Sequence, residues 1–253
     1  MEKFTHRPSE KTFIYGLHPV LEAIKNGKEF DKILLQRAAT SNLFKEVFNL
    51  IRDQNIHYQF VPEQKLNSLT SKNHQGIIAF TSLVSYVPLD EIITKCYEEG
   101  KNPLILMLDK ITDVRNLGAI ARTAECAGVD ALVFPVQNSA QLNGDAVKSS
   151  AGALLSLPLC RENDLKSAIK NLKMSGLQII AATEKAKENY YTTDFQQPTA
   201  IIMGSEELGI SPEYLKLCDM EVSIPMLGSI GSLNVSAATS ALLFEVVRQR
   251  LKV

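Results

Sequence analysis

The chain has 253 residues, 45% of them hydrophobic, enough to bury one large core or two smaller ones. A formal net charge of −1 excludes a strongly basic nucleic-acid binder of the histone kind, and no run approaches the roughly 20 apolar residues needed to span a bilayer. The start, MEKFTHRPSEKTF, has no signal-peptide apolar region, so a cytoplasmic location is expected.

In chain order, TFIYGLHPVLEAIKNG reads as a short strand and an amphipathic helix stopped at Asn26-Gly27. Strands are predicted over 32–36, 57–61 and 76–83, with helices over 42–55 and, briefly, in KLNSLTS. This alternation over residues 1–82 predicts a small α/β sandwich. Residues 83–102, with a Pro, a charged helical piece and a Gly-Lys-Asn break, read as a joint. From Pro103 the pattern restarts. LILMLD, ALVFP, LQIIAAT, TAIIMG and MEVSIPM are apolar strands separated by helices, among them LGAIARTAECAG after a DVRN turn and DAVKSSAGALL. Residues 103–253 are therefore expected to form an open, mostly parallel α/β sheet with ligand sites at the strands' carboxyl ends.

Three strand ends carry candidate chemistry. In LDKITDVRNLGAIARTAE, Asn116 reads as a helix cap, Gly118 admits a close approach, and Arg122 and Glu125 could simply be a solvated ion pair. In IIMGSEELGISPEYL, Gly204 and Gly209 bracket the Glu206-Glu207 pair, and Ser211 is placed to cap a helix with Pro212 at its first position. GSIGSLNVSAATS sets Ser229, Ser232, Asn234, Ser236, Thr239 and Ser240 around the start of the last helix. One cap needs one such side chain, so the surplus is expected to line a pocket. No G-x-G-x-x-G follows a strand and no Walker motif occurs, which removes the fingerprint of a nucleotide-binding oxidoreductase. Cys96, Cys126, Cys160 and Cys218 fall in no metal or disulfide spacing, so no metal is expected. His6, His18, His57 and His74 all lie within the first 74 residues, so chemistry beyond them has to work without imidazole.

NLGAIARTAECAG, IIMGSEELGIS and SIPMLGSIGSLNVSAATS, in this order, resemble the three motifs of the SpoU (TrmH-type) class of SPOUT RNA 2′-O-ribose methyltransferases. IYGLHPVLEAI and NHQGIIA resemble the L30e-like substrate-binding domain that precedes the catalytic domain in bacterial 23S rRNA guanosine-2′-O-methyltransferases. The resemblance implies a C-terminal α/β-knot domain, its sheet mostly parallel and its last segment threading a trefoil knot, against the usual rule that chains do not knot. It implies S-adenosylmethionine bound by Gly204, Ile224, Met226 and Leu233, with Thr183 adjacent, and a homodimer with the closing helix at the interface.

By the same resemblance Arg122 activates the ribose hydroxyl, and Asn116, Glu206, Ser232, Asn234 and Ser236 are the other polar site positions. A guanidinium is almost never deprotonated at neutral pH, so Arg122 is expected to stabilise a developing alkoxide or hold a phosphate, which leaves the proton acceptor open. The partner implied is RNA, because only RNA carries the 2′-hydroxyl; neither DNA nor a membrane is expected. A slight basic excess in residues 1–82, 11 Lys+Arg against 8 Asp+Glu, agrees with this. GSEELG departs from close relatives, which often carry a third Gly between or after the acids; Leu208 there is expected to alter loop flexibility without removing activity. Two other readings remain: the same chemistry on a tRNA ribose, and a non-catalytic RNA-binding or ribosome-assembly protein of the same fold.

Overall fold

The computed structural model describes residues 13–37 and 39–251; the opening segment, on which the expectation about a signal peptide falls, and His6 lie outside the described residues. The chain divides after Leu83 into two compact units, the first taking in Leu142–Gly144 as well.

The first unit runs β1 (Phe13–Tyr15), α1 (Leu17–Lys25), β2 (Phe30–Gln36), α2 (Asn42–Asp53), β3 (Tyr58–Val61), α3 (Glu63–Asn67) and β4 (Ile77–Thr81). The sheet order is β1-β4-β2-β3, with β4 antiparallel to both neighbours and β2 parallel to β3. Alternate side chains leave a strand on opposite faces. Ile33, Leu35, Ile77 and Ala79 accordingly meet Val20, Leu21 and Ile24 of α1 and Phe44, Val47 and Ile51 of α2. Leu34, Ile78 and Phe80 meet Leu66 of α3 on the other face. The expected sandwich is present. The short helix starts earlier than its sequence suggests, directly after Pro62, whose missing N–H cannot extend the β3 ladder.

The second unit runs α4 (Leu89–Glu98), β5 (Leu104–Leu108), α5 (Val114–Cys126), β6 (Ala131–Pro135), α6 (Gly144–Ser149, all but its first residue), β7 (Leu159–Glu162), α7 (Leu165–Met174) and β8 (Gln178–Ala182). It continues with β9 (Glu188–Asn189), β10 (Thr199–Met203), α8 (Pro212–Leu215), β11 (Met220–Ser223) and α9 (Val235–Arg250). Its seven strands lie in the order β7-β6-β5-β10-β8-β11-β9, and every pairing is parallel. All five residues of β5 and all five of β10 are buried, as continuous apolar runs covered on both faces require.

Three differences from the sequence reading have physical causes. Segment 83–102 is not only a joint, since α4 buries Leu89, Ile93 and Cys96 in this unit. DAVKSSAGALL is not one helix: Ala151 takes a left-handed conformation (φ 51°), which ends α6 and leaves a 3₁₀ turn over Ala153–Leu155. The strands β7 (LCRE) and β9 (EN) are too short and mixed to show a pattern.

Helix α9 is fixed at its far end. Arg250 donates to the carbonyls of Phe195, Asn102, Pro103 and Gln197 at 2.7–3.3 Å, and Gln249 bonds both Phe195 N and the Thr193 carbonyl. Sixteen residues at about 1.5 Å each then carry the chain roughly 24 Å to the other end of α9, at the sheet's carboxyl edge. No helix among the described residues is long and apolar enough to cross a membrane.

Gly118 brings α5 against the end of α6: a Cβ there would stand 1.9 Å from Ser149 Oγ and 2.9 Å from Ser150 N. Gly118→Ala is expected to cost about 1–3 kcal/mol by overpacking, lowering Tm by roughly 2–4 °C per kcal/mol. Thermal unfolding followed by circular dichroism checks this; an unchanged Tm would contradict the packing described.

Candidate active site

At the carboxyl ends of β8, β10 and β11 lies a cavity of about 370 Å³. Thr183 follows β8, Gly204 follows β10, and Ile224 and Met226 follow β11; with Leu233 these line the cavity, so it collects all five residues singled out for the cofactor. A Cβ on Gly204 would lie 2.2 Å from the Gly209 carbonyl carbon and 2.3 Å from Ile210 N, so this position has to be glycine for the chain to cross itself so closely. The size falls within the roughly 300–1,000 Å³ of small-molecule sites. Apolar Ile224, Met226 and Leu242 beside the Thr183 hydroxyl and bare backbone suit a ligand with a flat apolar ring and polar ends. A nucleoside such as S-adenosylmethionine fits that description.

Beside the cavity one carboxylate oxygen gathers the polar residues. Glu206 Oε1 accepts from Asn116 Nδ2 at 2.9 Å, from Asn234 Nδ2, and from Val235 N at 3.4 Å. Asn234 Nδ2 also faces Asn116 Oδ1 at 3.1 Å, while Asn234 Oδ1 accepts from Ser236 N at 2.9 Å and Ser236 Oγ at 2.6 Å. Asn234 is thus both the cap of α9 and a member of the cluster.

Asn116 is not the cap of α5. Asp113, in the DVRN turn, caps it by accepting from Arg115 N and Asn116 N at 2.8 and 2.9 Å, which frees the Asn116 amide for Glu206. Ser211 precedes α8 as expected but makes no side-chain cap: its hydroxyl accepts from Lys110 Nζ at 2.9 Å, and its N–H donates to the buried Asp109 carboxylate at 2.7 Å. An Asp directly after an apolar strand was the available signal for that tie.

The remaining candidates part company. Ser232 lines the cavity but lies outside the hydrogen-bonded cluster. Thr239 and Ser240 do not line it; they bond the Val235 and Ser236 carbonyls one turn back, and Ser240 also meets Thr123 of α5 at 3.2 Å. Arg122 is exposed, six residues and about 9 Å along α5 from Asn116, and has no hydrogen-bond or ion-pair partner among the described residues, Glu125 included. Burial pushes the Cys160 and Cys218 thiols up to about 12, so neither supplies a thiolate near neutral pH.

A parallel α/β sheet with a nucleoside-sized cavity at its carboxyl edge, flanked by an amide–carboxylate cluster, is a site suited to a nucleoside cofactor, with no imidazole among its described lining residues. Two family models match the chain: "SpoU rRNA Methylase family" over residues 103–244 and "RNA 2′-O ribose methyltransferase substrate binding" over residues 13–87. A Staphylococcus saprophyticus protein named for the TrmH family of tRNA/rRNA methyltransferases is 34% identical over 241 residues, covering 95% of this chain and 97% of its own. The SpoU methyltransferase AviRb of Streptomyces viridochromogenes, crystallised with AdoMet, superposes with a TM-score of 0.61 at 27% identity over 95% of this chain and 91% of its own. A TrmH/SpoU tRNA modifying enzyme of A. aeolicus gives 0.54 at 28% identity, over 64% of this chain and 84% of its own.

The chain belongs to the SpoU/TrmH family and is an RNA 2′-O-ribose methyltransferase. The family's methyl donor is S-adenosylmethionine.

The Asn116 N–H, more than any other influence, holds the Asp113 carboxyl below its ordinary value. Its contribution is therefore complete above the ordinary Asp value of about 3.9 and lost as the pH falls through the lower folded value. Asp113→Ala is expected to cost about 1 kcal/mol near neutrality and progressively less in acid. Urea unfolding at several pH values checks this, and a cost that grows in acid would contradict it.

Proposed function

We propose that the methyl group goes to the ribose 2′-hydroxyl of a guanosine in 23S rRNA, in the cytoplasm, and that the chain acts as a homodimer. In this reading residues 1–82 bind the RNA, 83–102 join, and 103–253 carry out the transfer. The observation that carries the rRNA assignment is the extra unit: the substrate-binding match spans residues 13–87, whereas the tRNA modifying enzyme of A. aeolicus covers only 64% of this chain. Methylation of a tRNA ribose is the second reading, favoured by the tRNA/rRNA naming of the Staphylococcus relative. A non-catalytic role is disfavoured because Asn116, Glu206 and Asn234 are not merely present but bonded to one another.

S-adenosylmethionine, held by Thr183, Gly204, Ile224, Met226 and Leu233, supplies an electrophilic methyl. Glu206, Asn116, Asn234 and Ser236 hold the ribose edge in attack geometry, with Ser232 at the cavity rim. Arg122 keeps its charge and stabilises negative charge developing on the ribose oxygen, or holds the adjacent phosphate. Its exposure, away from the cluster of its own chain, supports its serving the site of a second copy. Half-exposed Phe244 on α9 and exposed Leu227 and Ile230 offer apolar surface for that contact.

The test maps ribose methylation across rRNA and tRNA in cells lacking the protein, complemented with wild type or Arg122→Ala. One 2′-O-methylguanosine of 23S rRNA should be missing and return only with wild type, while purified Arg122→Ala binds S-adenosylmethionine within about twofold of wild type. A missing tRNA mark supports the second reading. Full complementation by Arg122→Ala would sink the role given to it.

A further inference from the structure

A second cavity, of about 480 Å³, lies at the carboxyl ends of β5 and β10; its lining includes Thr112, Asp113, Asn116 and Asn138. It shares Ser205, Glu206, Glu207, Leu208 and Val235 with the cofactor cavity, so the 205–208 turn is a common wall. That wall carries Glu206, whose Oε1 is the centre of the polar cluster. A methyl donor on one side requires the acceptor ribose at the wall itself, and the base attached to that ribose then needs room beyond. The second cavity is that room.

We propose that this cavity receives the base of the target nucleotide, turned out of the RNA, and that Glu207 reads it as guanine. The proposal rests on the methyltransferase reading above. Three carboxylates line the cavity. Asp113 is engaged in capping α5 and Glu206 in holding Asn116 and Asn234. Glu207 has no hydrogen-bond or ion-pair partner among the described residues and is exposed at the turn. A carboxylate only accepts hydrogen bonds, so its natural partner is an edge with adjacent donors. Guanine offers two, N1–H and the N2 amino group; adenine presents an acceptor at N1. Asn138, held at φ 59° just after β6, adds an amide to the lining. An enzyme acting on a flipped nucleotide reads it through its Watson–Crick edge, and a site built for donors rejects analogues that lack them.

Binding of guanosine, inosine and adenosine 5′-monophosphates to the full chain, saturated with S-adenosylhomocysteine, is followed by saturation-transfer NMR. Guanosine monophosphate should bind saturably, with inosine monophosphate, which lacks the amino group, about tenfold weaker. Thr112→Phe, which fills only the second cavity, should remove guanosine monophosphate binding while the S-adenosylhomocysteine Kd holds. Asn138→Gly, which keeps the left-handed backbone, should weaken it, and Glu207→Gln should erase the preference over inosine. Retained S-adenosylhomocysteine binding shows that each variant is folded. No nucleotide binding by wild type, equal binding of adenosine and guanosine monophosphates, or undiminished binding by Thr112→Phe would overturn the proposal. Guanosine binding without methylation of any RNA would instead count against the reaction, leaving the cavity assignment in place.

Discussion

One carboxylate oxygen holds the site together. Glu206 Oε1 draws in the first turn of α5 through Asn116 and the first turn of α9 through Asn234 and the Val235 N–H, joining segments 90 and 28 residues distant in sequence. Hydrogen bonds to a charged group contribute about 1.5–3 kcal/mol each when buried, and less at a half-open site such as this. Their larger effect is geometric, because they fix two helix starts against the turn that separates the two cavities.

That turn can reach both helices only because the backbone around it is held in place. Gly204 lets β10 leave the sheet within contact of Gly209 and Ile210, and Ser205 accepts from Gly209 N at 2.9 Å, closing the turn on itself. Asp109 and Lys110 at the end of β5 bind Ser211 just beyond it. Far from the site, the Arg250 bonds hold the other end of α9, so that its start does not drift from Glu206. By contrast, Leu227 and Ile230 in the preceding loop are exposed, as in loops that carry function on a rigid scaffold.

Much of this was legible in the sequence because the signals were local. Apolar runs such as LILML announced strands buried on both faces, while the five residues that share the cofactor cavity came from the resemblance of three motifs to a family and not from any local pattern. The failures were of two kinds. Short elements such as β7 and β9 have no periodicity to read, and their existence depends on neighbours supplied from elsewhere in the chain. Side-chain roles were misread where two partners competed: Asn116 looked like a cap because Asp113 had not been seen to take that place, and the surplus Ser/Thr of α9 looked like pocket lining although Thr239 and Ser240 satisfy themselves on their own helix. A third case is the solvated ion pair of Arg122 with Glu125, which does not form among the described residues. The isolation of Arg122 is visible only once the helix is folded and its neighbours are known.

If Glu206 unites Asn116 and Asn234 into one device, removing either should disable the whole. The most direct measurement is a double-mutant cycle on methyl-transfer kcat with Asn116→Ala, Asn234→Ala and the pair. The expected result is strong non-additivity, the double variant being hardly slower than the worse single one. Losses that simply multiply would show that the two amides act independently and that Glu206 is not the centre of the site.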